Sequence, residues 1–236
     1  RYEVSTPEPL ITSIEGRRVL TTPAPSRGGA IVAAALERLA TATSLGDRAH
    51  ALRHGYAAAP PLSVAGTTHI SVIDADGNAA ALSSTLGSGS GVFRGGTQLN
   101  NMLGELDVIG EAPLVPGARL ASMMTPTLVL EDEGPRLALG SAGSVRLAGA
   151  IAQVADAVLR GTPVAEAIDR PRIHVEGDVL HLEGGLMELA PDGWKTVRWA
   201  GRNLYFGGVA AVERRADGTL AAAGDPRRGG HGIVVE

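Results

Sequence analysis

Cysteine is absent from this 236-residue sequence, lysine occurs once, at Lys195, and aromatic residues make up only 3%. The missing thiols exclude disulfides, thiol nucleophiles and cysteine-ligated metals, but they leave the compartment open. With so few rings, the core has to be built from Ala, Val, Leu and Ile. No apolar run approaches the roughly 20 residues that span a bilayer, so no membrane span is expected. No signal peptide is visible. Because Arg1 is not an initiator residue, the chain is expected to begin inside a longer precursor, and secreted, periplasmic and cytoplasmic locations all stay open. The net charge of −4 comes without any basic block, and nothing points to a nucleic-acid partner.

What is there suits one globular domain of ordinary size: 44% hydrophobic residues, 19% charged, and 32 glycines with 14 prolines that imply many tight turns. The most informative stretch runs from Gly66 to Glu105. Residues 68–73 and 79–86 are β-branched or apolar runs around Asp76-Gly77, a dipeptide that supplies positive φ in a hairpin turn. Such a hairpin brings Thr85 back toward Thr67. If the Gly66–Thr67 bond is broken, Thr67 carries a hydroxyl nucleophile and an α-amine on one residue. That amine has a reference pKa of roughly 7.7–8.0, near enough to neutrality to act as the general base for its own hydroxyl. From spacing alone, Thr67-Thr68 reads first as the start of an ordinary β-strand.

The rest of the chain alternates strands and helices. Residues 8–14 and 18–22 read as extended around Gly16, and Pro23 and Pro25 make a stiff connector. Ile31, Ala35, Leu36 and Leu39 recur at helical spacing over about 30–42. A second helix is expected from an Asp47 N-cap to about Tyr56. His50 and His54 share a face of it, but they lack a carboxylate third ligand, and no metal or cofactor is expected. Residues 57–66, rich in Ala and Pro, read as a linker. Gly87 to Gly91 reads as a loop, and no Gly-Lys-Ser/Thr closes it into a phosphate cradle. A second hairpin pairs 127–130 with 136–139. A Gly140–Ser144 turn then opens a helix over about 145–159, presenting backbone N–H groups of the kind that stabilise an oxyanion; a plain helix cap fits the same residues. A short helix at 163–168 and strands near 172–175, 179–182, 196–199, 207–213 and 219–223 complete the pattern. His174 and His181 fall on those strands as packing residues. Pattern alone gives mixed α and β.

Several ordered motifs resemble one family. Thr67-Thr68-His69-Ile70-Ser71-Val72 with Asp76-Gly77-Asn78, then Leu99-Asn100-Asn101-Met102-Leu103-Gly104-Glu105, is similar to the small subunit of γ-glutamyltranspeptidases. Met123-Met124-Thr125-Pro126-Thr127, Gly140-Ser141-Ala142-Gly143-Ser144-Val145-Arg146 and Gly224-Asp225-Pro226-Arg227-Arg228-Gly229-Gly230 follow in the family's order. Pro23-Ala24-Pro25-Ser26-Arg27-Gly28-Gly29 resembles a segment late in its large subunit.

The resemblance implies an α+β fold, the αββα four-layer sandwich of N-terminal nucleophile hydrolases. Residues 1–66 would be the end of a large subunit and 67–236 the small subunit, separated by self-cleavage at Gly66–Thr67. It implies Thr67 as nucleophile, Thr85 orienting it, and the amides of Gly143 and Ser144 as the oxyanion hole; Ser144 stands where the family usually has glycine. Substrate contacts would fall on Gly87, Asn101, Met102, Glu105 and Ser122, with Ala121 beside Ser122. Gly87 and Met102 replace polar family residues, and only Glu105 and Ser122 keep clear polar capacity. Residues 106–118 are too short for the family's usual lid over the donor site. The partners implied are a γ-glutamyl or other acyl donor, water or an amine or dipeptide acceptor, and the remainder of the large subunit. Three readings stay open: a γ-glutamyl transferase or hydrolase, a relative with an altered acyl pocket acting on a non-glutamyl substrate, and an inactive, unprocessed fragment.

Overall fold

The structure is a computed structural model and describes residues 3–59, 67–109 and 114–235. Strands β1 (Leu10–Ile14) and β2 (Arg17–Thr21) form a hairpin. Its two-residue turn, Glu15-Gly16, has positive φ at both positions, 49° and 83°, the geometry that matches strand twist. Helices α1 (Gly28–Leu39) and α2 (Leu45–Ala58) follow and pack on each other. Ser44, not Asp47, caps α2. The Ser44 hydroxyl accepts from the Asp47 N–H at 3.1 Å, while the Asp47 carboxylate accepts from the Ser44 N–H at 3.0 Å, a reciprocal box that satisfies two otherwise orphaned donors. The helix runs on through Ala57 and Ala58, so the expected linker begins later. Its residues 60–66 lie outside the described residues.

Strands β3 (Thr67–Ile73) and β4 (Ala79–Thr85) form the expected hairpin. Short strands β5 (Phe93–Arg94) and β6 (Thr97–Gln98) and a one-turn helix α3 (Leu106–Ile109) come next. Then come β7 (Thr127–Glu131), β8 (Gly134–Ala142), α4 (Leu147–Leu159) and α5 (Val164–Asp169). Strands β9 (Ile173–Glu176), β10 (Val179–Leu182), β11 (Lys195–Arg198), β12 (Gly208–Arg214) and β13 (Leu220–Gly224) complete the chain.

Six strands make the central sheet, in the antiparallel order β1-β2-β7-β8-β12-β13. On one face lie α1 and α4, whose Ile31, Leu36, Leu39, Ile151 and Val154 meet Val129, Leu137 and Leu139 in a closed aliphatic core. Fully burying each such side chain contributes roughly 1.5–3 kcal/mol. The β3–β4 hairpin lies against β8 and β12. Every residue of β8 from Leu137 to Ala142 is buried, because helices cover one face and the hairpin the other. The chain is thus an α+β sandwich in which helix layer, main sheet and hairpin stack in that order. The outer face of the hairpin leaves Ile70, Val72 and Leu82 exposed. A separate three-stranded sheet, β11-β10-β9, packs beside α2.

The sequence placed a turn at Gly140, but β8 continues through it: Gly140, Ser141 and Ala142 pair with Ala210, Val209 and Gly208. The turn comes at Gly143, whose φ of 137° no side-chain-bearing residue takes easily and whose absent Cβ would sit 2.6 Å from the Gly207 Cα.

Candidate active site

Thr67 opens β3 directly across from Thr85, and it is only 8% exposed. Strand alternation turns Thr67 inward, onto the end of β8. Three further segments converge there. The first is the tight turn after β8, where Ser144 begins a 3₁₀ turn leading into α4. The second is Ser122 to Met124, held by the segment before α1: Ser26 bridges to Ser122, the Arg27 N–H donates to the Ser122 carbonyl at 2.8 Å, and the Ser26 hydroxyl donates to the Met124 carbonyl at 2.9 Å. Gly28 fits under Met123 and Thr125 because it has no Cβ, which is what the Ser-Arg-Gly-Gly sequence is for at this point. The third is the 3₁₀ turn Met102–Gly104.

These segments enclose a small cavity lined by Thr67, Thr85, Met102, Ser122, Met123, Met124, Ser144 and Leu147. Of the residues expected from sequence, Thr67, Thr85, Met102, Ser122 and Ser144 meet here. Its volume of about 10 Å³ holds about one water, and anything larger fits only if the methionines move. Their unbranched, three-torsion side chains suit that movement. Met123 and Met124 were read from sequence as part of a motif but not as pocket residues, and Leu147 was not singled out. The signal was their place beside Ser122 and just after Ser144.

Gly87, Asn101 and Glu105 form a second cluster at the end of β4. The Glu105 Oε1 accepts from the Ser88 N–H at 2.6 Å and hydroxyl at 2.7 Å, and these bonds hold its carboxyl below the usual range. The Asn101 Oδ1 accepts from the Gly89 N–H at 3.1 Å. A Cβ on Gly87, whose φ is 61°, would meet Glu105 Oε1 at 2.7 Å and clash with the Asn101 amide. The cluster is tied to the first, since the Gly87 N–H donates to the Thr85 hydroxyl at 3.1 Å. Gly66, the other half of the expected cleavage point, lies outside the described residues, as do 110–113 of the stretch expected to be too short for a lid.

His174 and His181 pack as expected, while His50 and His54 are exposed on α2. His50 lies 5.4 Å from the Trp194 ring, and His174 sits edge-on to Tyr56 and near Tyr205 and His181. Burial pushes the His174 pKa down to about 3. Among the described residues no group of three or more His, Cys, Asp or Glu is placed to hold a metal, and no helix is long and apolar enough to cross a membrane.

The Gamma-glutamyltranspeptidase family profile matches residues 40–235, and the chain belongs to that family. It is 34% identical over 184 residues to the glutathione hydrolase proenzyme of Escherichia coli, covering 68% of this chain and 31% of the relative. It is 31% identical over 186 residues to the acylase ACY 1 proenzyme of Pseudomonas sp. SE83, covering 72% of this chain and 32% of the relative. The solved γ-glutamyltranspeptidase from Pseudomonas nitroreducens complexed with L-DON superposes with a TM-score of 0.58 at 28% identity, covering 72% of this chain and all of that one. The chain spans about a third of the length of these curated relatives.

Proposed function

We propose that the protein is a self-processing acyl transferase or hydrolase whose nucleophile is Thr67, freed as a new N-terminus by cleavage of the Gly66–Thr67 bond. The observation that carries this is the meeting of Thr67, Thr85 and Ser144 in one buried cavity at the start of β3. The domain division is also supported by length: residues 67–236 number 170, or 72% of the chain, the same share that the complete P. nitroreducens chain covers. Residues 1–66 then belong to the large-subunit side.

In processing, the Thr67 Oγ1 adds to the Gly66 carbonyl carbon, the peptide C–N bond breaks, and the Thr67 nitrogen becomes a free amine; water then hydrolyses the ester. In turnover, the Thr67 Oγ1 attacks the donor's amide carbon while its own amine takes the hydroxyl proton and passes it to the leaving nitrogen. Thr85 orients the nucleophile. The amides of Gly143 and Ser144 receive the oxyanion, and losing one such donor costs about 2.7–4 kcal/mol. Water or an amine resolves the ester.

A second reading concerns the donor. The eight residues lining the cavity include three methionines and a leucine but no charged side chain, which favours an acyl group other than glutamyl. Each hydrogen bond missing to a charged substrate group costs about 1.5–3 kcal/mol. Initial rates on γ-glutamyl-p-nitroanilide and on a neutral acyl-p-nitroanilide, with and without a dipeptide acceptor, separate the two readings and distinguish transfer from hydrolysis. A protein that turns over neither, with its Gly66–Thr67 bond intact, contradicts the proposal and matches an inactive fragment.

A further inference from the structure

His69 lies two residues beyond Thr67 on β3 and therefore points to the same side of the strand. Its ring lies against the backbone of β8 at Gly140, where any Cβ would fall on the imidazole atoms. Gly140 pairs with Ala210 of β12. The Nδ1 of His69 is 2.8 Å from the hydroxyl of Ser83, the residue directly across on β4, and its Nε2 is 2.8 Å from the Ser71 hydroxyl. Ser71 in turn donates to the Ala210 carbonyl at 3.4 Å.

One assignment of protons satisfies all three contacts: Ser71 donates to Ala210, so its oxygen accepts from His69 Nε2–H, and the His69 Nδ1 accepts from Ser83. The ring is neutral, because burial lowers its pKa to about 4. One directed chain, Ser83 to His69 to Ser71 to Ala210, thus fastens both strands of the hairpin to the β8–β12 rung.

A two-stranded hairpin is marginal by itself, and a slip of one residue would turn Thr67 to the opposite face. An apolar contact tolerates such sliding; a directed chain whose ring sits over the bare backbone of Gly140 does not. At about 3.3 Å per residue, the anchor is about 7 Å from Thr67 along β3 and about 10 Å from Gly143 along β8. We propose that His69 is a positioning residue for the nucleophile, setting the height of Thr67 over the Gly143–Ser144 turn. The proposal rests on Thr67 being the nucleophile.

The test compares wild type with His69→Phe, which keeps the bulk and removes both bonds, Ser83→Ala, which removes one, and His69→Asn, whose amide can still meet Ser83. Each is made in the full precursor, and the Gly66–Thr67 cleavage rate, kcat, KM and Tm are read. The expected result for His69→Phe is a kcat and cleavage rate down about 10- to 100-fold, the scale of a misplacement near 1 Å, with KM within about twofold. Ser83→Ala should lose less, and His69→Asn should recover part of the loss. An unchanged kcat in folded His69→Phe, or a loss confined to Tm and KM, overturns the proposal while leaving the nucleophile intact. If His69→Phe does not fold, an unchanged kcat in Ser83→Ala overturns it equally. A wild type that neither cleaves nor turns over overturns both.

Discussion

At Ser144 the backbone turns to a φ of 58°, where the Cβ of an L-residue crowds the following carbonyl at roughly 1–2 kcal/mol. The tight turn after β8 demands that geometry, and it brings Ser144 to the cavity that Thr67 also lines. Ser144→Gly relieves the crowding but gives the unfolded chain more freedom, so the net expectation is a gain of about 0.5–1 kcal/mol, read from the denaturant midpoint; a loss would mean that the serine side chain holds the turn. A different kind of residue contribution comes from the Gly-Asp-Pro-Arg-Arg-Gly-Gly motif. Asp225 meets Arg172 at 2.6 Å and Arg227 at 3.2 Å, and Arg227 meets Glu183 at 2.6 Å, all four buried. The Arg172 and Arg227 head groups also donate to the Ile168 carbonyl. Removing one partner strands a buried charge, so Asp225→Ala is expected to cost about 3–5 kcal/mol, measured by urea unfolding, and a cost below about 1 kcal/mol would contradict the network. Sequence showed the motif but not this purpose, because its partners stand 44 to 59 positions away along the chain and meet it only in the fold.

Among the elements, the β3–β4 hairpin was the most legible. Asp76-Gly77 between the β-branched or apolar runs 68–73 and 79–86 marked it, and Thr85 does return to stand opposite Thr67. The amphipathic helices were legible for the same reason, with Ile31, Leu36 and Leu39 all in the core. What failed was local punctuation. Gly140 reads as a turn residue, yet it is glycine to admit the His69 ring. Asp47 reads as an N-cap, yet it is the third residue of a box begun by Ser44. The layer order, and the parallel pairing of β10 with β11, depend on contacts no short window contains. Two elements also carry a pH consequence. His69 on β3 and His174 on β9 have pKa values lowered by burial to about 4 and about 3, from 6.5. Below pH 6.5 the unfolded chain binds protons that the folded one refuses, so stability is full above that value and falls as pH drops toward 4. Melting temperature is expected to decline already between pH 6.5 and 5, before most carboxylates titrate, and the decline should be shallower in His69→Phe. A flat profile there would contradict the buried neutral state.

At the scale of the whole molecule, the proposed site is smaller than the donor it would take: the cavity at Thr67 holds about one water, the outer face of the hairpin exposes Ile70, Val72 and Leu82, and the chain spans about a third of the length of its curated relatives. The family was legible because its motifs are ordered along nearly the whole chain; the donor was not, because Met102, Met123 and Met124 say only that the pocket is apolar and deformable. The account stands on Thr67 acquiring a free amine, and N-terminal sequencing with intact mass of the purified protein reads that directly. The expected result is a fragment beginning Thr67-Thr68-His69 that forms in wild type, forms slowly in Thr67→Ser, and is absent in Thr67→Ala together with all turnover. A Thr67→Ala protein that is still cleaved before residue 67, or still active, would contradict it.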